Sequence, residues 1–305
     1  MTHPERTGLV EAKGALLSWD VLTGERTEDV HDEQATRSWW WELPELPDTL
    51  ARLHWARAWW PASAVADVPP PHPALLAAEL ALATAALSHL LDDEEATERA
   101  LTGLLPLPLA ALADTPWQEE AVDLARRLAD LAEDHGVEPP EPAPLPRPAY
   151  ALAAGGQAPE DVVLQRGSGP VDWALVPPGA VDAVAEASWT VSRRNGITEL
   201  AVTALPAPGS VPPRLAARFG PVDLDLDLTP DGVLTGRVPL PATALLLPAA
   251  QRVLTVYAPG FAEPGPPDPD APARRAALVE LARTRLSDPA ATLAERTART
   301  LWRRP

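Results

Sequence analysis

The chain has no cysteine, which excludes disulfides, thiolate nucleophiles and thiolate metal sites. Its six histidines (His3, His31, His54, His72, His89 and His135) all fall in the first half, and no HxxxH or HExxH spacing occurs among them. The strand-rich stretch from about Asp161 to Phe261 therefore has only carboxylates, arginines, hydroxyls and a tyrosine (Tyr257), so nucleophilic catalysis and soft-metal binding lose their usual agents there. GxSxG is absent, and Gly167-Ser168-Gly169-Pro170 lacks the lysine of a phosphate loop, so it reads as a turn. Lys13 is the only lysine among 25 basic residues. With abundant Ala, Pro and Leu, this reads as the codon bias of a GC-rich bacterial genome.

Long apolar runs are scarce as well. The most apolar stretch, Ala74 to Leu91, contains Glu79 and His89, and so reads as a buried helix and not as a membrane span. The opening residues, MTHPERTGLVEAKG, carry charges but no signal-type apolar core, so a cytoplasmic protein is expected. A net charge of −18 disfavours a nucleic-acid partner, because phosphate neutralisation needs surplus cations. No cofactor motif and no metal spacing is present, so neither a cofactor nor a metal is expected.

Proline is abundant, with 38 residues in 305, and it marks the joints. The sequence EPPEPAPLPRP reads as an extended connector, and EPGPPDPDAP (263–272) as a second joint. The expected layout is a mainly helical, tryptophan-rich domain over 1–137, a linker over 138–160, a β domain over 161–262, and a joint with basic C-terminal helices over 263–305. The fold class is α+β and multidomain: an α-helical N-terminal domain, an antiparallel β-sandwich of seven or eight strands, and a C-terminal helical extension.

Within the first domain, residues 8–23 predict one or two short strands. Asp48 opens a helix running to Trp60, and Pro73 opens another. In the second helix Leu76, Leu80, Ala83, Leu87 and Leu90 recur at 4, 3, 4 and 3 spacing, while Leu75, Leu82 and Ala86 fill a neighbouring face. A helix apolar over most of its circumference should be central to its domain. Asp92 to Glu95 signal a further start, and Thr115-Pro116-Trp117-Gln118 opens a helix with a Leu124, Leu128 and Leu131 stripe, closed by Gly136. The expected ion pairs on its wet side are Asp123–Arg127 and Arg126–Asp130.

In the β domain VDLDLDL (222–228) alternates strictly, and Thr229-Pro230-Asp231-Gly232 supplies the turn to VLTGRV. The matching register sets Leu228 opposite Leu234, and Asp225 opposite Arg237. Other strands are expected at 161–164, 172–176, 182–191, 197–204, 214–219, 244–247 and 252–257. Asp223, Asp225 and Asp227 lie roughly 6.5–7 Å apart along a flat strand, too far to converge on one cation, and read as a solvated face. C-terminal helices are expected at 273–286 and 289–302. From Ala271 onward eight arginines face three acids, and the apolar Leu278, Leu281, Leu286 and Leu293 suit docking on the chain's own acidic body or on an acidic partner.

Seven of the eleven tryptophans fall in the first sixty residues. Three in a row (Trp39, Trp40, Trp41) cannot all enter one core from a helix or a strand, so at least one should point outward. The competing readings are a small aromatic core and an interface formed by Trp39, Trp40, Trp41, Trp55, Trp59 and Trp60. The functional expectation is a non-catalytic adaptor or accessory subunit that binds another protein through this segment. The alternatives are a hydrolase using His54 or His72 in the helical domain, and a carbohydrate or small-ligand module.

Overall fold

A computed structural model describes residues 3–138, 162–246, 248, 251–263, 265 and 268–302. They divide into two compact units. The first holds the described residues up to Trp60, from Pro69 to Glu138, and from Pro272 to Trp302. The second holds Pro61–Val68 and residues 162–271. Apart from Glu138, the proline connector lies outside the described residues.

The first unit opens with an antiparallel meander, β1 (Thr7–Ala12), β2 (Ala15–Asp20) and β3 (Arg26–Val30). The third strand, RTEDV, was not expected, since four of its five residues are polar and most of its length is exposed. Its position comes from pairing with β2, not from burial of its own side chains. The helices α1 (Glu33–Thr36), α2 (Thr49–Trp59), α3 (Pro73–Ala86), α4 (Ala96–Thr102), α5 (Leu109–Leu112) and α6 (Gln118–Asp134) follow.

Proline at the first position of α3 costs no hydrogen bond, and the His72 imidazole accepts the Ala74 amide. Leu75, Leu76, Leu80 and Ala81 are buried, as a central helix requires. The other end of α6 is a Schellman cap: Gly136 takes φ +65°, its amide reaches Glu133 O, and the Val137 amide reaches Ala132 O. On the wet side of α6, Asp123 pairs with Arg126 and not with Arg127; Arg126 also reaches Asp130.

The second unit is built on β4 (Val162–Pro170), β5 (Glu186–Arg194), β6 (Ile197–Ala204), β7 (Leu215–Phe219), β8 (Val222–Leu228), β9 (Leu234–Pro239) and β10 (Leu254–Tyr257), with a short α7 (Ala242–Leu245). All neighbours are antiparallel, in the order β10-β7-β8-β9-β6-β5-β4. β8 pairs with β7 over 222–226 and with β9 only at Asp227–Thr235 and Leu228–Leu234. The Leu228–Leu234 register is the expected one, but it stops before Asp225 reaches Arg237; Arg237 pairs with Ala201 of β6. The sheet curls on itself, and the Trp189 and Phe219 rings, from the non-neighbouring strands β5 and β7, meet at 4.7 Å.

Two expected strands are helical turns. Residues 173–175 form a 3-10 turn whose N-cap, Asp172, accepts the Ala174 amide, and 242–245 form α7 after Pro241. Both segments are short apolar runs, for which periodicity does not separate strand from helix. The expected turn 167–170 is instead the end of β4. A Cβ on Gly167 would stand 2.8 Å from the Trp189 ring, so glycine there lets the indole of the paired residue lie across the edge strand.

The tail helices, α8 (Ala271–Arg285) and α9 (Leu293–Leu301), belong from Pro272 onward to the first unit, where α9 packs on α3. Their arginines meet its acids: Arg274 with Glu5 at 3.0 Å, and Arg296 with Glu120. Arg285 forks onto the buried Glu295 at 2.9 and 2.5 Å. Glu295 in turn accepts the Thr292 amide while Thr292 Oγ1 accepts the Glu295 amide, which completes a capping box.

Candidate functional site

The six tryptophans expected to bind a partner are divided by the fold. Trp39, Trp55 and Trp60 are buried, and each indole N–H is satisfied by a backbone carbonyl: Lys13 at 3.0 Å, Glu5 at 2.9 Å and Pro69 at 3.0 Å. They pin the meander, the first residues of the chain and the segment after α2 to the helices, which is a core role. Trp59 is half-buried. Trp40 and Trp41 are 45% and 73% exposed, at the start of the 3-10 turn Trp40–Glu45. The Trp41 indole donates to Ser38 O at 3.2 Å, and the Trp40 ring lies 6.1 Å from that of buried Trp39. The exposed pair is thus held in place from below.

Among the described residues, neither of the histidines expected as catalytic agents, His54 and His72, forms an ion pair with a carboxylate, unlike His3 and His89. His54 lies on α2, where partial desolvation of its ring and then the neighbouring Arg57 charge lower its pKa. His72 caps α3, and burial lowers its pKa. Among the described residues, His89 does contact an acid, Glu42, at 2.9 Å.

A site that the sequence reading passed over lies on α3. A cavity of about 330 Å³ opens between α2, α3, α6 and the start of α9. Leu50, Leu53, Leu82, Leu87, Leu124 and Leu293 supply its apolar lining. Glu79 lies within it, and its two oxygens accept the amides of Leu293 at 2.6 Å and Ala294 at 3.0 Å, the first two residues of α9. Burial pushes the Glu79 carboxyl up to about 7; the two amides and the Thr292 hydroxyl work against that rise, and the Glu295 charge adds to it. The legible signal was a lone acid inside an otherwise apolar helix, together with the surplus apolar face carried by Leu82 and Ala86.

The second unit holds a different carboxylate. Asp182 is buried, and it accepts the Ser63 hydroxyl and the Ala64 amide, both at 2.7 Å, and the Val184 and Ala185 amides, both at 2.9 Å. Ser63 Oγ accepts the Ala66 amide in turn, and Ser63 and Val68 bridge through their backbones. This serine and aspartate form a structural knot that fixes loop 61–68 to the unit.

The aspartate row of β8 is solvated, and two of its members have ion-pair partners. Asp223 meets Arg218 at 2.8 Å and Tyr257 Oη at 3.0 Å, and Asp225 meets Arg214 at 2.9 Å. Among the described residues no group of three or more His, Asp or Glu could hold a metal, and no helix is long and apolar enough to cross a membrane. No family model matches the chain, and neither a curated protein nor a solved structure matches it.

Proposed function

We propose that this chain is a non-catalytic adaptor or accessory subunit that binds another protein through Trp40 and Trp41. One observation carries the reading: two adjacent indoles stand in solvent on a turn whose third tryptophan is locked in the core. Exposed aromatics cost little conformational entropy to immobilise, and an anchored turn lowers that cost further. Covering the pair would remove on the order of 200 Å² of ring surface from water, about 5 kcal/mol at about 25 cal/mol per Å². The fitting partner surface is an apolar groove wide enough for two indoles. In the same reading the curled sheet is a two-layered sandwich joined through β8, serving as a scaffold.

The test is cross-linking and affinity capture from native cell extract with the wild-type chain and with the Trp40→Ala, Trp41→Ala double variant. Specific partners should disappear with the double variant, while its far-ultraviolet circular dichroism and thermal midpoint stay unchanged. Identical capture by both proteins would reject the tryptophan surface as the interface.

A further inference from the structure

The cavity on α3 points to a second activity, independent of the tryptophan surface. We propose that it binds an amphipathic organic cation, an apolar chain ending in a primary amine, with Glu79 as counter-ion and Leu50, Leu53, Leu82 and Leu124 as walls.

The argument begins with the helix. α3 is apolar over more of its surface than packing consumes: Leu75, Leu76 and Leu80 are buried, whereas Leu82, Ala83, Ala86 and Leu87 line the cavity. A volume of about 330 Å³ suits a small ligand and falls within the usual range of such sites, about 300–1,000 Å³. The leucine lining selects an apolar body.

The charges select the head group. Glu120 at the rim is paired with Arg296, and Asp123 with Arg126. Arg127 also lines the rim, yet none of the groups that shift Glu79 is a cation. What acts on it is two backbone amides, a hydroxyl and the like charge of Glu295. Glu79 accepts two α9 amides and the Thr292 hydroxyl, and a carboxylate has about four acceptor positions, so about one remains. Among the described residues the site therefore offers a poorly hydrated carboxylate with an acceptor position to spare and no cation among the groups that act on it. An ammonium supplies the missing charge and the missing donor, whereas a ligand carboxylate would meet repulsion.

Calorimetric titration of the full chain with n-octylamine, n-octanol and octanoate at pH 8 tests the assignment. Octylamine should bind saturably, octanol at least tenfold more weakly, and octanoate not at all. Because amine binding favours ionised Glu79, lowering the pH to 6 should weaken octylamine by roughly tenfold and leave octanol unchanged. Glu79→Gln should abolish the preference for amine over alcohol. Ala86→Phe, at an exposed position on the cavity wall, should block both ligands without disturbing the fold. Absence of octylamine binding, equal affinity for alcohol and amine, or an unchanged preference in Glu79→Gln would each overturn the proposal. None of these outcomes bears on the tryptophan surface.

Discussion

Asp182 and Glu79 are both carboxylates withdrawn from water, and they differ in what surrounds them. Asp182 accepts four donors from its own unit, two of them amides that follow it in the chain and two from loop 61–68. Its acceptor capacity is filled. Glu79 accepts two amides and the Thr292 hydroxyl, lies in an apolar cavity and is raised to about 7. A saturated buried acid ties structure together; an unsaturated one beside empty space is available for a ligand. Burial alone does not distinguish the two, and the count of donors does.

The largest effect should come from emptying the saturated site. Asp182→Ala orphans the Ser63 hydroxyl and three amides, which should cost about 3–5 kcal/mol, the scale of breaking a buried charged network. Local opening should be visible first: native-state hydrogen exchange at the Ala64 and Ala66 amides should accelerate at least tenfold. If both amides remain as protected as in the wild type, Asp182 does not hold the loop.

Glu79 should respond to pH with the opposite sign from an ordinary paired acid. Its folded pKa lies above the unfolded value, so the native state binds the proton more tightly. Its contribution is fully present below about pH 4.5 and is lost as pH rises to about 7, a change of up to about 3 kcal/mol. Glu79→Gln removes that dependence, so the stability difference between wild type and variant, from urea unfolding at pH 5 and pH 8, should shift in favour of the variant at pH 8. A difference independent of pH would mean that Glu79 titrates as an ordinary surface acid.

The same contrast explains what could be read from the sequence. Local signals fixed by few residues carried over: Pro73 at the start of α3, Gly136 in the left-handed cap, and the alternation of Leu224 and Leu226 with exposed aspartates. The tryptophan triplet was legible to the extent that three adjacent indoles cannot share one core, but which of them pointed inward depended on where Lys13 O lay. β3 was invisible because its polar residues owe their conformation to β2. The α3 site was legible only as a lone acid in an apolar helix: Glu79 meets Leu293 across 214 residues, and no local pattern reports such a separation. The same holds for Ser63 and Asp182, 119 residues apart. Donor counts belong to tertiary structure, and that is why neither contact could be read from the sequence.

The smallest effect should come from the acids that water already satisfies. Asp225 and Arg214 pair across the outer face of β7 and β8, and both side chains are more than half exposed. Each keeps most of its hydration whether or not the pair forms, and salt screens the attraction. Asp225→Ala should change the urea midpoint by less than the equivalent of about 0.5 kcal/mol, and the difference should shrink further in 1 M NaCl. The contrast with Asp182→Ala then isolates the role of desolvation, because both substitutions remove an aspartate that accepts hydrogen bonds in the same unit. A loss at Asp225 comparable to that at Asp182 would show that the β8 row holds the sheet together, and the distinction between wet and dry carboxylates would fail where the chain displays it most openly.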